Sequence, residues 1–377
     1  MSFCEELFNW SLVFMNRAGY FDRHRRASVL LIPPISLCVA AFYRTYILRN
    51  DFDEVIVNLF KISGATVTTM RAFVVMYKSQ AFLDFFVFVE KWYQGQQRDG
   101  EEVTLRKTHE FTQKIRKAAK TLLIVTMIIL SYMVLIQLLA TVGIGYRKLI
   151  VDVAFPGIDF YISPNWEMMS FLQCLYVAPF TFVSYVSYLC LTLIAISFGI
   201  FLMKDLQFKL ENMNDMTDLE ALNCIKKCVK AHVMIIKYHN HMEALFSVGS
   251  FADVCIFGII PCVIIVLSTM DHDISMLIAD IQMAAMVMTS TFIFFWVANN
   301  FVIESENIAN AAYNCNWVDR NKEFRKYIPL IIGNSQKQLQ LTAGGIKPIN
   351  MEFFLTIVRC TYSLFTVLFT MKTGGDS

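Results

Sequence analysis

The chain has 377 residues, of which 56% are apolar, 14% aromatic and only 17% charged, with a formal net charge of +2. That composition and a mean hydropathy of +0.49 exclude an ordinary soluble domain and point to a polytopic membrane protein. The near-neutral total gives no electrostatic footprint for nucleic acid, because the basic residues are distributed by membrane side.

Residues 1–10 carry Glu5 and Glu6 where a secretory leader would be basic, and no small-residue cleavage site follows. Residues 1–26 are therefore expected to be a cytosolic N-terminus, with the first membrane helix as its own insertion signal. Seven apolar stretches follow, at 27–48, 55–77, 121–146, 168–203, 244–270, 276–303 and 350–371. Spanning takes about 20 apolar residues, since the hydrocarbon core is about 30 Å thick. The stretch 55–77 is the least apolar, carrying Lys61, Arg71 and several threonines. Its polar face should point into the bundle or a wet cavity, and one of the two cations is expected to face that cavity.

The stretch 168–203 runs for 36 residues without a charge, which at 1.5 Å per residue would be about 54 Å of helix. Its end should therefore leave the bilayer and join 204–243 in a packed helical layer. Pro179 and Pro261 are expected to kink their helices. The segment 304–348 begins amphipathic (Ile308, Ala312, Tyr313), is interrupted at 314–319, resumes as helix through 324–341 and breaks at Ala343-Gly344-Gly345.

Sorting Lys and Arg by side fixes an orientation. The segment before the first stretch has 4, and the loops 78–120, 204–243 and 304–348 have 9, 6 and 6. The alternate segments have 2, 2, 0 and 1, with Lys61, Arg71 and Arg359 inside stretches. Basic residues stay cytoplasmic during insertion, so the 25-to-5 split predicts a cytosolic N-terminus and an extracellular C-terminus. The ten cysteines fall within stretches or on the reducing side, and no disulfide is expected. The sequon at Asn9-Trp10-Ser11 is cytosolic on this reading and should stay unmodified.

Several constellations have plain structural readings. Thr141-Val142-Gly143-Ile144-Gly145 is similar to a potassium filter, but it ends an unbroken span with no room to re-enter and reads as a helix terminus. Cys224, Cys228 and His232 lie along one helical face and cannot converge on one zinc. Asp253 and Asp280 come closest to being intramembrane carboxylates, and both are read as lying near wet span ends. No catalytic motif is present, and neither enzyme activity, metal nor cofactor is expected. Aromatic and Met-rich faces (Phe60, Met133, Tyr176, Phe180, Tyr185, Met283, Met286) are first of all core. With Gln137 or Ser184 to orient it, a small apolar ligand would need the same lining.

The C-terminal seventy residues are the most specific. Tyr313-Asn314-Cys315-Asn316-Trp317 precedes Ser335-Gln336-Lys337, the Gly344-Gly345 break, and Thr361-Tyr362-Ser363-Leu364-Phe365-Thr366 in the last span. In this order the elements resemble the C-terminal signature of the insect odorant receptor family, as do Phe155-Pro156-Gly157 and Ser163-Pro164 before the fourth span. The resemblance is most specific over 313–370. It implies an all-α membrane protein with seven transmembrane helices in inverted topology and cytosolic anchor helices. Its parts are a cytosolic N-terminus (1–26), a six-helix bundle with an odorant cavity and cytosolic extensions (27–303), an anchor helix and break (304–348), and a pore-lining seventh helix with a short tail (349–377).

The function implied is that of an odorant-binding tuning subunit in a non-selective cation channel. Its partners would be the odorant co-receptor, in a heterotetramer, a small neutral volatile, and lipid of the sensory-neuron plasma membrane. On the last helix Arg359, Tyr362, Phe365 or Thr366, and Phe369 fall on one stripe, and Phe365 aligns with the family's hydrophobic gate residue. Leu368 stands where the co-receptor has a polar pore residue, and the co-receptor's cytoplasmic insertion is absent, which favours the tuning subunit. The depth of the family's cavity maps onto Ala65, Thr69, Phe73, Met133, Gln137, Phe180, Ser184, Gln282 and Ala285. The rival readings are a gustatory-type channel needing no co-receptor, a G-protein-coupled chemoreceptor, disfavoured by the inverted charge bias, and a secondary transporter, disfavoured by the lack of an inverted repeat.

Overall fold

A computed structural model describes residues 2–21, 26–143, 149–267 and 274–374, except some side chains within the helices. The elements in chain order are α1 (Phe3–Arg17), α2 (Arg26–Ile47), α3 (Phe52–Tyr77), α4 (Ser79–Arg98), α5 (Glu102–Gly143) and α6 (Asn165–Thr181). A π-helical segment (Phe182–Val186) joins α6 to α7 (Ser187–Glu211). There follow α8 (Asp218–Leu267), α9 (Ile274–Asn314), α10 (Lys322–Arg325), α11 (Tyr327–Ser335), the strands β1 (Thr342–Ala343) and β2 (Lys347–Pro348), and α12 (Met351–Gly374). Among the described residues, four helical stretches are long and apolar enough to cross a membrane: Val29–Ile47, Glu54–Tyr77, Asn165–Glu211 and Val287–Asn314. The other three expected spans fall in the second halves of α5 and α8 and in α12.

The long helices do two jobs. The 50 residues of α8 extend about 75 Å at 1.5 Å per residue, more than twice the hydrocarbon thickness. The surplus of α5, α7, α8 and α9 packs with α1, α4, α10 and α11 into a layer at one end of the bundle. Its core is largely aromatic: Phe8, Phe82, Phe85, Phe198, Phe246 and Phe301 are fully buried. Gly199 is required there, because a Cβ on it would lie 2.5 Å from the Phe301 ring and 3.2 Å from that of Tyr238.

Helix α1 was not legible as a packed element. A capping box opens it: the Ser2 hydroxyl accepts from the Glu5 amide and the Glu5 carboxylate from the Ser2 amide, each at 3.2 Å. Phe3 stacks on Tyr93 at 4.1 Å and Phe8 packs on Phe86 at 5.2 Å. The 314–319 break is held by Arg320, which donates to the carbonyls of Met213 (2.9 Å) and Met216 (2.7 Å) and to the Asp218 carboxylate (2.9 Å).

The helix expected through 324–341 ends at Ser335. Beyond it the chain is extended because its groups bond outward, as in Leu339 N–H to Ser305 Oγ at 3.2 Å. Gly344 and Gly345, with φ +65° and +76°, make the left-handed turn of a β-hairpin. The hairpin docks on α8 through Gly344 N–H to Ser247 O at 3.0 Å and Thr342 N–H to Glu243 at 3.0 Å. Pro179 sits one turn before the π-helical segment, so the expected distortion takes that form. Gly143 does end α5, while the side chains of 141–148 lie outside the described set, as do those of Pro261 and Asp280.

Replacing Gly199 with Val should overpack the Phe301–Tyr238 contact by about 1–3 kcal/mol. The expected outcome is a lower thermal midpoint in detergent and less protein at the cell surface, and unchanged values would refute the contact.

Candidate functional site

An arginine inside an apolar helix must find a partner, because lipid offers none. Arg71, 1% exposed, reaches from α3 to α8, where its Nε donates to Asp253 Oδ1 at 2.8 Å and its Nη2 lies 2.7 Å from Oδ2. This two-point pairing of a planar fork with a carboxylate is the strongest geometry available to an ion pair. Nη1 donates to the Tyr185 carbonyl at 3.0 Å, on the π-helical segment. The guanidinium also lies 4.0 Å from the centroid of the Tyr185 ring and 5.2 Å from that of Tyr188, an aromatic seat for a desolvated cation. Tyr188 in turn presses on α8 at Gly249, where a Cβ would meet its hydroxyl. Asp253 is thus buried inside the bundle, which corrects the expectation of a wet span end.

At the end of the bundle away from the helical layer, the segment 149–164 folds back as a strap. Lys61 Nζ binds Asp152 Oδ2 at 2.6 Å, and Tyr161 donates to Asp152 Oδ1 at 3.2 Å. Gln173 clasps both backbone groups of Val151, at 2.8 and 3.1 Å. Leu149, Val151 and Val153 insert among Ala40, Ala41 and Ile62. Burial, with Asp152 beside it, holds the Tyr161 phenol well above its ordinary range, so it remains a donor to Asp152 at physiological pH.

Helix α12 is attached unevenly. Asn350 caps it through the Phe353 amide at 2.9 Å, and Phe353 and Phe354 pack against Phe295 and Phe292 of α9. Beyond that first turn, Thr361 is the only buried position among its described side chains. Arg359, Tyr362 (67% exposed) and Thr366 point away from the bundle. Arg359, Cys360, Ser363, Leu364 and Val367 line an open groove of about 480 Å³ along the helix.

The 7tm Odorant receptor family matches residues 51–362. The chain belongs to that family. It is 28% identical to Odorant receptor 10 of Aedes albopictus over 234 residues, 59% of this chain and 60% of that one. It is 25% identical to Odorant receptor Or2 of Anopheles gambiae over 371 residues, 93% of this chain and 94% of that one. The insect olfactory receptor OR5 of Machilis hrabei shares its fold at 14% identity, with a TM-score of 0.77 over 92% of this chain and 89% of OR5. The structure of OR5 in complex with eugenol superposes with a TM-score of 0.78 over 98% of both chains. The seven-helix, all-α membrane fold expected from the sequence is the fold of this family, whose members are receptors and not enzymes.

The expected ligand residues lie on several helices of the odorant receptor fold. Ala65, Thr69 and Phe73 follow Lys61 at four-residue steps down one side of α3. Thr69 lies beside Cys38 of α2, at 3.8 Å, and Phe73 is 50% exposed. Arg71, two residues from Thr69, is on roughly the opposite side of the helix. Phe180 stacks on Tyr176 at 5.4 Å, and buried Ser184 shares a hydrogen bond with Tyr20 of the N-terminal segment. Ala285 is exposed, and the side chains of Met133, Gln137 and Gln282 lie outside the described set. Among the described residues, then, the set lies on α3, on α6 and on the adjoining π-helical segment, which pack against one another, and on α9. On α12, Phe365 is half-buried, apart from the exposed Arg359, Tyr362 and Thr366, and the side chains of Leu368 and Phe369 are not described.

Reading the sequence missed the pairing of Arg71 with Asp253, 182 residues apart. The available signal was that each is a charge in an apolar stretch, and two such charges of opposite sign satisfy one another. Removing one partner strands the other, at roughly 3–5 kcal/mol. Arg71→Ala and Asp253→Ala should each lower surface abundance and thermal stability, and Arg71→Met with Asp253→Leu should recover most of both. Single variants with wild-type stability would contradict the pairing.

Proposed function

We propose that this chain is the odorant-binding tuning subunit of a heteromeric, odorant-gated, non-selective cation channel in the sensory-neuron plasma membrane, assembled with the odorant co-receptor as a heterotetramer. The observation that carries the reading is α12. A terminal helix that packs along α8 while most of its described side chains beyond the first turn stay exposed is suited to line a pore shared with neighbouring subunits. Family membership and a fold shared with a receptor solved with eugenol support a small volatile ligand. The 25-to-5 division of basic residues supports an N-terminus in the cytosol and a C-terminus outside.

On this reading the strap at 149–164 lies on the outer face, above the α3 residues Ala65, Thr69 and Phe73 and the α6-side residues Phe180 and Ser184. With Met133, Gln137, Gln282 and Ala285 these remain the candidate lining of the odorant site. Odorant binds the open arrangement better than the closed one and shifts the population between them. Moving a two-state equilibrium from 1:99 to 99:1 takes about 5.5 kcal/mol of differential affinity. A ligand of about ten heavy atoms has that much to give, at roughly 0.3–1.5 kcal/mol per atom. Dilation of α12 withdraws Phe365, whose apolar ring keeps the closed pore dewetted.

Whole-cell current tests the assignment. Expressed with an insect odorant co-receptor, the chain should give odorant-evoked current carried alike by Na⁺ and K⁺ and insensitive to G-protein blockers, with none when expressed alone. Current from the chain alone would overturn the tuning-subunit role in favour of a self-sufficient channel. Phe365→Ala should raise resting current in the heteromer several-fold, and an unchanged baseline would remove Phe365 from the gate.

A further inference from the structure

Thr361 is buried between α12 and α8, 6% exposed, and its hydroxyl has two acceptors. It donates to Gly258 O of α8 at 3.1 Å and to Ile357 O of its own helix at 3.0 Å. A helix carbonyl can accept a second bond beside its intrahelical one, and a threonine hydroxyl readily bonds back to the carbonyl four residues earlier. The interhelical bond can therefore be released without leaving a polar group unsatisfied in the membrane, which is what a reversible contact requires.

The α8 side of this bond is braced from within the bundle. Gly258 is five residues from Asp253, whose pairing with Arg71 ties α8 to α3 and, through the Tyr185 carbonyl, to the π-helical segment. Thr361 stands on a helix whose first turn is held by ring contacts with α9. It directly precedes Tyr362 and lies one turn before Phe365.

Resting on the channel reading above, we propose that Thr361 is a positioning residue of the gate, its bond to the Gly258 carbonyl holding α12 in the closed arrangement. Opening transfers the hydroxyl wholly to Ile357 O while α8, braced by the ion pair, stays in place. The odorant works against this bond without touching it.

Thr361→Val keeps the shape and removes the hydroxyl, whereas Thr361→Ser keeps the hydroxyl. With the co-receptor present and currents normalised to surface label, Val should lower the half-maximal odorant concentration about threefold, the average strength of such a bond between membrane helices. It should also raise resting current, while Ser stays at wild type. A Val variant indistinguishable from wild type, or a Ser variant shifted as far as Val, would overturn the proposal.

A second arm is independent of how well the Val variant reaches the surface. Gly258→Cys with Thr361→Cys, oxidised to a disulfide, should abolish odorant current, and dithiothreitol should restore it. Each single variant serves as the control for the native cysteines. Full current through the cross-linked pair would show that α12 need not leave Gly258. Failure of the channel reading itself is separate, because wild type with the co-receptor would then already be silent.

Discussion

Arg71 and Asp253 are both charged groups buried where no water can solvate them, and the bundle is arranged around satisfying that pair. The guanidinium takes a carboxylate from α8, a carbonyl from the π-helical segment and the faces of two tyrosines. The contacts come from α8, the π-helical segment and the start of α7, so they exist together only when these elements and α3 stand in one arrangement. Apolar packing in lipid is weakly directional, because lipid chains are as apolar as the side chains they replace. A single desolvated ion pair with fixed geometry can set a register that a leucine-lined interface leaves loose.

The irregular parts of the molecule lie at the two ends, as the backbone requires when its polar groups must be satisfied internally within the membrane. At one end the surplus length of α5, α7, α8 and α9 forms an aromatic-cored layer, stitched by Arg320 and the docked hairpin. At the other, the strap carries its own polar network of Lys61, Asp152, Tyr161 and Gln173. The glycines that matter are where two elements meet closely, Gly199 beneath Phe301 and Gly249 beneath Tyr188. Helix α12 packs along α8 and, through rings at its base, on α9, while most of its described side chains beyond the first turn are exposed. On the proposed channel reading, a braced α8 beside a largely exposed α12 suits a bundle that moves one helix and keeps the others.

Much of the fold was legible because its signals are local and repeat along the chain. Apolar runs long enough to span and the glycine break before α12 each depend on a few neighbouring residues. The exceptions fail for identifiable reasons. Helix α1 has too little hydrophobic length to announce itself and is stabilised by Ser2–Glu5 capping and by rings from α4. The segment after Ser335 has helical composition, but its amides find partners on α9 and α8. The ligand residues were chosen by depth alone, and depth along a helix says nothing about direction around it.

The sequence by itself determined the class of molecule, the number and order of its spans, and the family signature of its last seventy residues. These follow from composition, period and motif, which are properties of segments. Only the tertiary structure decided that Arg71 belongs to Asp253 and Lys61 to Asp152, that Ser184 is engaged by Tyr20, and that Thr361 bridges to Gly258. Those pairings join residues from 91 to 182 positions apart along the chain. Which charge or hydroxyl meets which partner depends on helix rotation and stagger, and these are fixed only when the whole bundle closes.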